Sequence, residues 1–125
     1  MERLRKLIIL IDDYDLFRLL MRDLLKGQNY QVIATDNGIT GLQLVQEQQP
    51  DLIICDTDMP GLNGFDIIEK LHQDLNTTKI PFVLLSYMAN NTEREHAIQL
   101  GATAYLSKLT PLNQIVEKVA SYLNN

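Results

Sequence analysis

A single cysteine, four prolines and six glycines in 125 residues close off several kinds of protein at once. Cys55 has no partner for an internal disulfide, so no disulfide framework holds this chain, and a buried structural thiol is the expected role. No apolar run approaches the ~20 residues that a membrane-spanning helix needs. The start, Met1-Glu2-Arg3-Leu4-Arg5-Lys6, carries the charge of a signal peptide. The apolar part behind it is too short for one and ends in two aspartates, so no targeting segment is expected and the cytoplasm is the expected compartment. Without a secretory leader, the sequons Asn76-Thr77-Thr78 and Asn90-Asn91-Thr92 carry little meaning. Positive charge is scarce too: 11 Lys and Arg face 16 Asp and Glu, a net charge of −5. A nucleic-acid or anionic-membrane binder would want a basic face, so neither class is expected. Charge runs, internal repeats, low-complexity stretches and linkers are missing as well. What is left, 46% hydrophobic and 22% charged, is ordinary globular composition, with length for one domain over 1–125.

What the chain does have is alternation. Short apolar runs at Leu7–Ile11, Gln31–Thr35, Leu52–Asp56, Phe82–Ser86 and Ala104–Leu106 predict five strands. Between them lie helical periods. Leu16, Leu19, Leu20 and Leu24 form the apolar stripe of the first helix, opposite Arg18, Arg22, Asp23 and Lys26, with Gly27 as its stop. Ile39, Leu42 and Val45 mark the second helix, and Phe65, Ile68, Leu71 and Leu75 the third. Ala97 and Leu100 face inward in the fourth, with Asn91 or Thr92 as its cap and Gly101 as its end. Pro111 opens the fifth helix, which buries Leu112, Ile115, Val116, Val119 and Leu123. Five βα units in a row predict an α/β domain with a parallel sheet, helices on both faces and right-handed crossovers.

The strands end in chemistry. The first apolar run closes on Asp12 and Asp13, and the third on Asp56 before Thr57-Asp58-Met59-Pro60-Gly61. In parallel sheets, ligands gather in the crevice at the carboxyl ends of strands. Three carboxylates close together repel one another, so they hold protons or bind a cation. Oxygen ligands without His or Cys suit Mg²⁺, which keeps waters and a phosphate oxygen beside one or two carboxylates. A carboxylate can attack phosphorus to give an acyl phosphate. Transfer then calls for charge neutralisation, which an ammonium such as Lys108 and a hydroxyl such as Ser86 can share with the metal.

These residues, taken with the loop Met59-Pro60-Gly61-Leu62-Asn63-Gly64 and with Tyr105 in the fifth strand, run in one order along nearly the whole chain. In that order the chain resembles the receiver domain of two-component response regulators. The resemblance implies a flavodoxin-like (βα)5 doubly wound sheet with strand order 2-1-3-4-5; a member of this family is a standard example of that order. It implies that Asp56 is the phosphoacceptor, that Asp13 is a direct Mg²⁺ ligand, that Asp12 acts in the same cluster through water, and that Asp58 offers its backbone carbonyl. Ser86 and Lys108 would hold the incoming phosphoryl group, and Ser86 and Tyr105 would form the switch. The implied partners are a histidine kinase or phosphotransfer protein upstream and an effector protein downstream. The face made by the fourth helix, fifth strand and fifth helix would change with phosphorylation and is also where a homodimer would form. Such a domain catalyses only its own phosphorylation and dephosphorylation.

The chain departs from the family pattern after Lys108. Leu109 stands where the family usually has proline, whose cis bond aims the ammonium, and Pro111 comes later. A cis bond before a non-proline residue costs ~3 kcal/mol more than trans, so the aim of Lys108 needs another explanation. Asp58 and Met88, each two residues beyond a key side chain, flank the expected path of attacking water. His72 and His96 lie in helices without metal-ligand spacing and read as surface residues. Tyr14 and Phe17 offer either a partner-docking patch or simple packing. Two other classes compete. Asp56-Thr57-Asp58 resembles part of the haloacid-dehalogenase phosphatase motif, but it lies on the wrong strand and the chain is too short for the cap region. A constitutive interaction domain with a vestigial acid pocket is the other. A flavodoxin proper is disfavoured, since Asp12-Asp13-Tyr14-Asp15 would repel the phosphate of a flavin.

Overall fold

A computed structural model describes residues 3–124; the charged start at Met1 and Glu2, and Asn125 of the expected 1–125 domain, lie outside the described residues. Five strands and five helices alternate: β1 (Leu7–Ile11), α1 (Asp15–Gly27), β2 (Gln31–Thr35), α2 (Gly38–Gln48), β3 (Leu52–Asp56), α3 (Gly64–His72), β4 (Phe82–Ser86), α4 (Asn91–Gln99), β5 (Ala104–Ser107) and α5 (Leu112–Leu123). The strands form one sheet in the order β2-β1-β3-β4-β5, every pair parallel. This is the flavodoxin-like order that the family resemblance implies. Among the described residues no helix is long and apolar enough to cross a membrane.

The central strands β1, β3 and β4 are buried along their whole length, which is why they read as unbroken apolar runs. Alternate side chains serve two cores. Ile8, Leu10, Leu52 and Ile54 pack with Met21 and Leu25 of α1 and Ile115 and Val119 of α5. Ile9, Ile11, Ile53 and Cys55 point to the other face, where Val45, Ile67, Ile68, Leu71 and Ala97 cover them. Each fully buried aliphatic side chain contributes about 1.5–3 kcal/mol, so both layers hold the sheet rigid beneath the loops that follow its strands.

In three helices the buried residues differ from the sequence expectation. The α1 residues that reach the core are Phe17, Met21 and Leu25, whereas Leu16, Leu19, Leu20 and Leu24 are exposed. Both sets repeat at helical spacing, and only the second consists of leucines; the sheet takes the set that includes the larger Phe and Met. Helix α3 ends at His72, so Leu75 lies beyond it and is exposed. Ile39 of α2 is exposed as well. Asn90, one residue before the expected position, caps α4 by accepting the Glu93 N–H at 2.8 Å, the usual asparagine bond to an otherwise unpaired amide of the first turn. Gly64 opens α3 where only a glycine fits: a Cβ there would sit 2.5 Å from Leu84 Cδ2 and 2.6 Å from the Asp56 carbonyl oxygen.

Candidate functional site

The carboxyl ends of β1, β3, β4 and β5 point to one edge of the sheet, and the register fixes what meets there. Ile11 lies opposite Cys55, Asp56 opposite Leu85, and Ser86 opposite Ser107. Each functional side chain therefore sits at or just past the last paired residue of its strand. Asp12, Asp13 and Asp56 converge, each offering an oxygen within 4.8 Å of the others. Asp12 and Asp56 are buried and Asp13 is exposed. Among the described residues these are the acids that come together as a candidate cation site. The carboxylate of Asp58 is not one of them. Its N–H donates to Asp56 Oδ1 at 3.3 Å, so any part it takes there is through its backbone.

Lys108 brings the counter-charge. Its Nζ lies 2.8 Å from Asp12 Oδ2 and 3.6 Å from Asp56 Oδ2, with the side chain 2% exposed. No peptide bond among the described residues is cis, so the ammonium enters the acid pocket with a trans Lys108–Leu109 bond. The backbone is pinned instead by hydrogen bonds. The Lys108 N–H donates to the Ser86 carbonyl at 2.9 Å, and the Thr110 N–H closes a turn onto the Ser107 carbonyl at 3.1 Å. The Leu109 N–H also donates to Ser107 Oγ at 3.1 Å.

One ammonium does not balance three carboxylates. Burial, followed by the neighbouring charge of Asp12, pushes the Asp56 carboxyl up from 3.8 to about 6, although Lys108 and the Asp58 N–H pull the other way. The same burial, with Asp56 and Asp12 nearby, raises the Cys55 thiol well above its ordinary value. Cys55 is a neutral, buried thiol, as its place in an apolar strand suggests. Asp12 Oδ1 accepts the Tyr14 N–H at 2.9 Å, but buried Oδ2 has no hydrogen bond, only the nearby ammonium. An all-oxygen donor set with residual negative charge and one such oxygen fits Mg²⁺.

Two hydroxyls at the site share a partner that sequence reasoning missed. Ser86 Oγ donates to Glu93 Oε1 at 2.9 Å, and Tyr105 Oη donates to the same oxygen at 2.5 Å. Tyr105 Oη in turn accepts the Asn90 N–H at 3.2 Å. Tyr105 is buried, and burial, then its bond to Glu93, raises its phenol above 10.0. Glu93 thus ties the end of β4 to β5 through the first turn of α4. The only sequence hint was its position three residues after Asn90, where a first-turn acid is common. A cleft between the loops after β3 and β4 runs beside this triad; Asp58, Phe65, Ser86, Met88 and Glu93 line it. Met88 is exposed there. His96 is exposed and stacks on Phe65, ring centroids 4.7 Å apart, while His72 is half-buried beside Gly101. Phe17 packs into the core and Tyr14 stays exposed.

Comparison with known proteins gives one consistent result. A family model described as the response regulator receiver domain matches residues 8–120. The polar-differentiation response regulator DivK of Brucella anthropi is 32% identical over 120 residues, covering 96% of this chain and 98% of that protein. Its Brucella ovis counterpart is 31% identical over the same shares. A putative response regulator from Chloroflexus aurantiacus superposes with a TM-score of 0.89 at 25% identity, covering 97% of this chain and 99% of that one. The chemotaxis protein CheY4 of Vibrio cholerae shares the fold, with a TM-score of 0.89 at 21% identity over 95% of this chain and 99% of that one.

Proposed function

The chain belongs to the response regulator receiver domain family, proteins that act as signalling switches in two-component systems, and from that premise we propose that it is a phosphorylation-controlled switch with Asp56 as phosphoacceptor. The domain spans 1–125 and works in the cytoplasm. The observation that carries this reading is the convergence of Asp12, Asp13 and Asp56 with the buried ammonium of Lys108.

Asp56 is the nucleophile. With a pKa of about 6 its carboxyl is about nine-tenths ionised at neutral pH. One of its oxygens attacks the phosphorus of a phosphohistidine; the new O–P bond forms as the N–P bond breaks and the imidazole leaves with its electron pair. Asp12 and Asp13, with Asp56 and the Asp58 carbonyl, would hold Mg²⁺, which when bound supplies charge neutralisation for the transferring group. Lys108 takes the phosphoryl oxygens that Asp56 cannot approach without repulsion, and Ser86 donates its hydroxyl to another. To do so, Ser86 leaves Glu93. Tyr105, bonded to the same carboxylate oxygen, then loses its partner arrangement, and the α4–β5–α5 face changes with it. That face serves an effector protein and a homodimer. A local electrostatic event thereby biases an element with two arrangements.

The donor is a histidine kinase or phosphotransfer protein. The exposed leucines of α1, with Tyr14 beside the acid pocket, give such a helical donor an apolar surface next to Asp56. Autophosphorylation and hydrolysis of its own acyl phosphate are the only reactions it catalyses.

The test is intact-mass spectrometry after incubation with Mg²⁺ and acetyl phosphate. The wild-type chain gains one phosphoryl group, and the gain disappears with a chelator or in Asp56→Asn. Turnover of many phosphoesters without a stable adduct would instead make it a phosphatase. No adduct with any donor would leave a constitutive binding domain.

A further inference from the structure

We propose that Phe17, Tyr14 and Tyr87 form an aromatic collar that positions the Lys108 ammonium at the acid pocket, doing by cation–π attraction what a lysine–proline bond does by geometry. The inference rests on the proposed role of Lys108 in phosphoryl binding, but its test does not depend on phosphorylation.

Three rings surround one nitrogen. Lys108 Nζ lies 4.6 Å from the Phe17 ring centroid, 5.5 Å from that of Tyr87 and 5.9 Å from that of Tyr14. All three fall inside the ~6 Å range over which a cation is drawn to the face of a ring. Tyr14 and Tyr87 meet edge to face at 6.5 Å, so the two exposed rings brace each other across the mouth of the pocket. Phe17 closes the collar from below, itself buried in the α1 core. A lysine reaches this point on a flexible four-carbon stem, and the trans Lys108–Leu109 bond does nothing to limit where that stem goes.

The acids alone do not fix the ammonium. Asp12 holds it at 2.8 Å, but a divalent cation held by the acid cluster would compete for the same carboxylate oxygens and would repel Lys108. The attraction of the rings does not depend on what the acids hold. With cation–π contacts strongest where water is excluded, a side chain 2% exposed is where they count. The collar also spans two elements. Tyr14 and Phe17 belong to the start of α1, while Tyr87 follows Ser86 directly, so movement of Ser86 toward a phosphoryl group shifts one wall of the collar.

Phe17 also packs against the core, and packing alone would keep Lys108 in place whatever the ring's electronics. Replacement of Phe17 by 4-fluoro-, 3,5-difluoro- and 3,4,5-trifluorophenylalanine in the full chain separates the two, because fluorine drains the ring face of negative charge with little change in volume. The first readout is acetylation of Lys108 by acetic anhydride in metal-free protein, measured against the other lysines by peptide mass spectrometry. Reactivity should rise step by step along the series, on the order of ten-fold at the trifluoro ring, with an unchanged thermal midpoint. The second readout, the rate of phosphorylation by acetyl phosphate, should fall in the same order. Tyr87→Leu should raise Lys108 acetylation, and Tyr87→Phe should restore the wild-type value. Flat acetylation across the fluorinated series overturns the collar and leaves Phe17 as packing alone. A graded acetylation series with no phosphorylation in any variant or in the wild type keeps the collar and overturns the function proposed for Asp56 instead.

Discussion

Asp56→Asn should make the metal-free protein more stable, not less, because the wild-type pocket holds a charge it cannot fully accommodate. The carboxyl is displaced from 3.8 to about 6, by burial first and by Asp12 second, and that displacement is already net of the attraction to Lys108. At 1.36 kcal/mol for each pH unit, ionised Asp56 costs the fold about 3 kcal/mol. An acid raised in the folded state binds more protons there than in the unfolded chain between the two values. Its contribution is therefore favourable below 3.8 and is lost as pH rises through about 6. Asparagine keeps the shape and removes the charge. Urea denaturation followed by circular dichroism should show the variant about 3 kcal/mol more stable at pH 8, a melting midpoint roughly 10 °C higher. The gap should shrink to under about 1 kcal/mol near pH 4, where the folded carboxyl is protonated and the pH lies close to the unfolded value of 3.8. Mg²⁺ should close it from the other side, stabilising wild type by mass action and the variant far less. A variant that is equally stable at pH 8, or a gap that ignores pH, would refute the reasoning.

Three further substitutions probe other links. Glu93→Gln keeps the size of the group that holds Ser86 and Tyr105 but removes its charge; charge-assisted hydrogen bonds are about twice as strong as neutral ones, so Ser86 is freed and phosphorylation at subsaturating acetyl phosphate should rise several-fold, read by intact mass. Leu20→Glu on the exposed α1 face should leave stability within about 0.5 kcal/mol and acetyl phosphate labelling unchanged, while transfer from a phosphorylated histidine phosphotransfer domain slows at least ten-fold, on the order of the loss of one apolar anchor. Gly64→Ala places a Cβ 2.6 Å from the Asp56 carbonyl oxygen, a backbone atom that cannot step aside without moving the nucleophile. It should cost about 1–3 kcal/mol in urea denaturation and lower the rate of labelling as well.

The central strands were legible in the sequence because burial on both faces leaves no polar interruption, and the acids were legible because each follows such a run directly. The inward face of α1 was not. Leu16, Leu19, Leu20 and Leu24 and the set Phe17, Met21 and Leu25 are both helical stripes, and periodicity does not say which one meets the sheet. The end of α3 was placed too late because Leu75 continues the period, whereas the chain turns after His72. Asp12, Asp13, Asp56 and Lys108 meet as the alternation of strands implies. The partners that tune them were hidden by distance along the chain. Glu93 sits on a largely polar helix, and it becomes special only when folding brings Ser86 and Tyr105 to one of its oxygens. Phe17, Tyr87 and Lys108 are likewise unrelated until folding brings the start of α1 and the ends of β4 and β5 to one ammonium. The trans bond after Lys108 lies in the same gap: the sequence exposed the missing proline, and only the three-dimensional arrangement supplies what replaces it.

The most direct test of the central claim is to trap the phosphorylated residue. A β-aspartyl phosphate is an acyl phosphate, and borohydride reduces it to homoserine while leaving a free carboxylate untouched. After treatment with acetyl phosphate and Mg²⁺, reduction and tandem mass spectrometry, homoserine should appear at position 56 alone and should vanish when the metal is chelated. Homoserine at Asp12, Asp13 or Asp58 instead, or none at any acid of a folded, metal-loaded chain, would contradict the account.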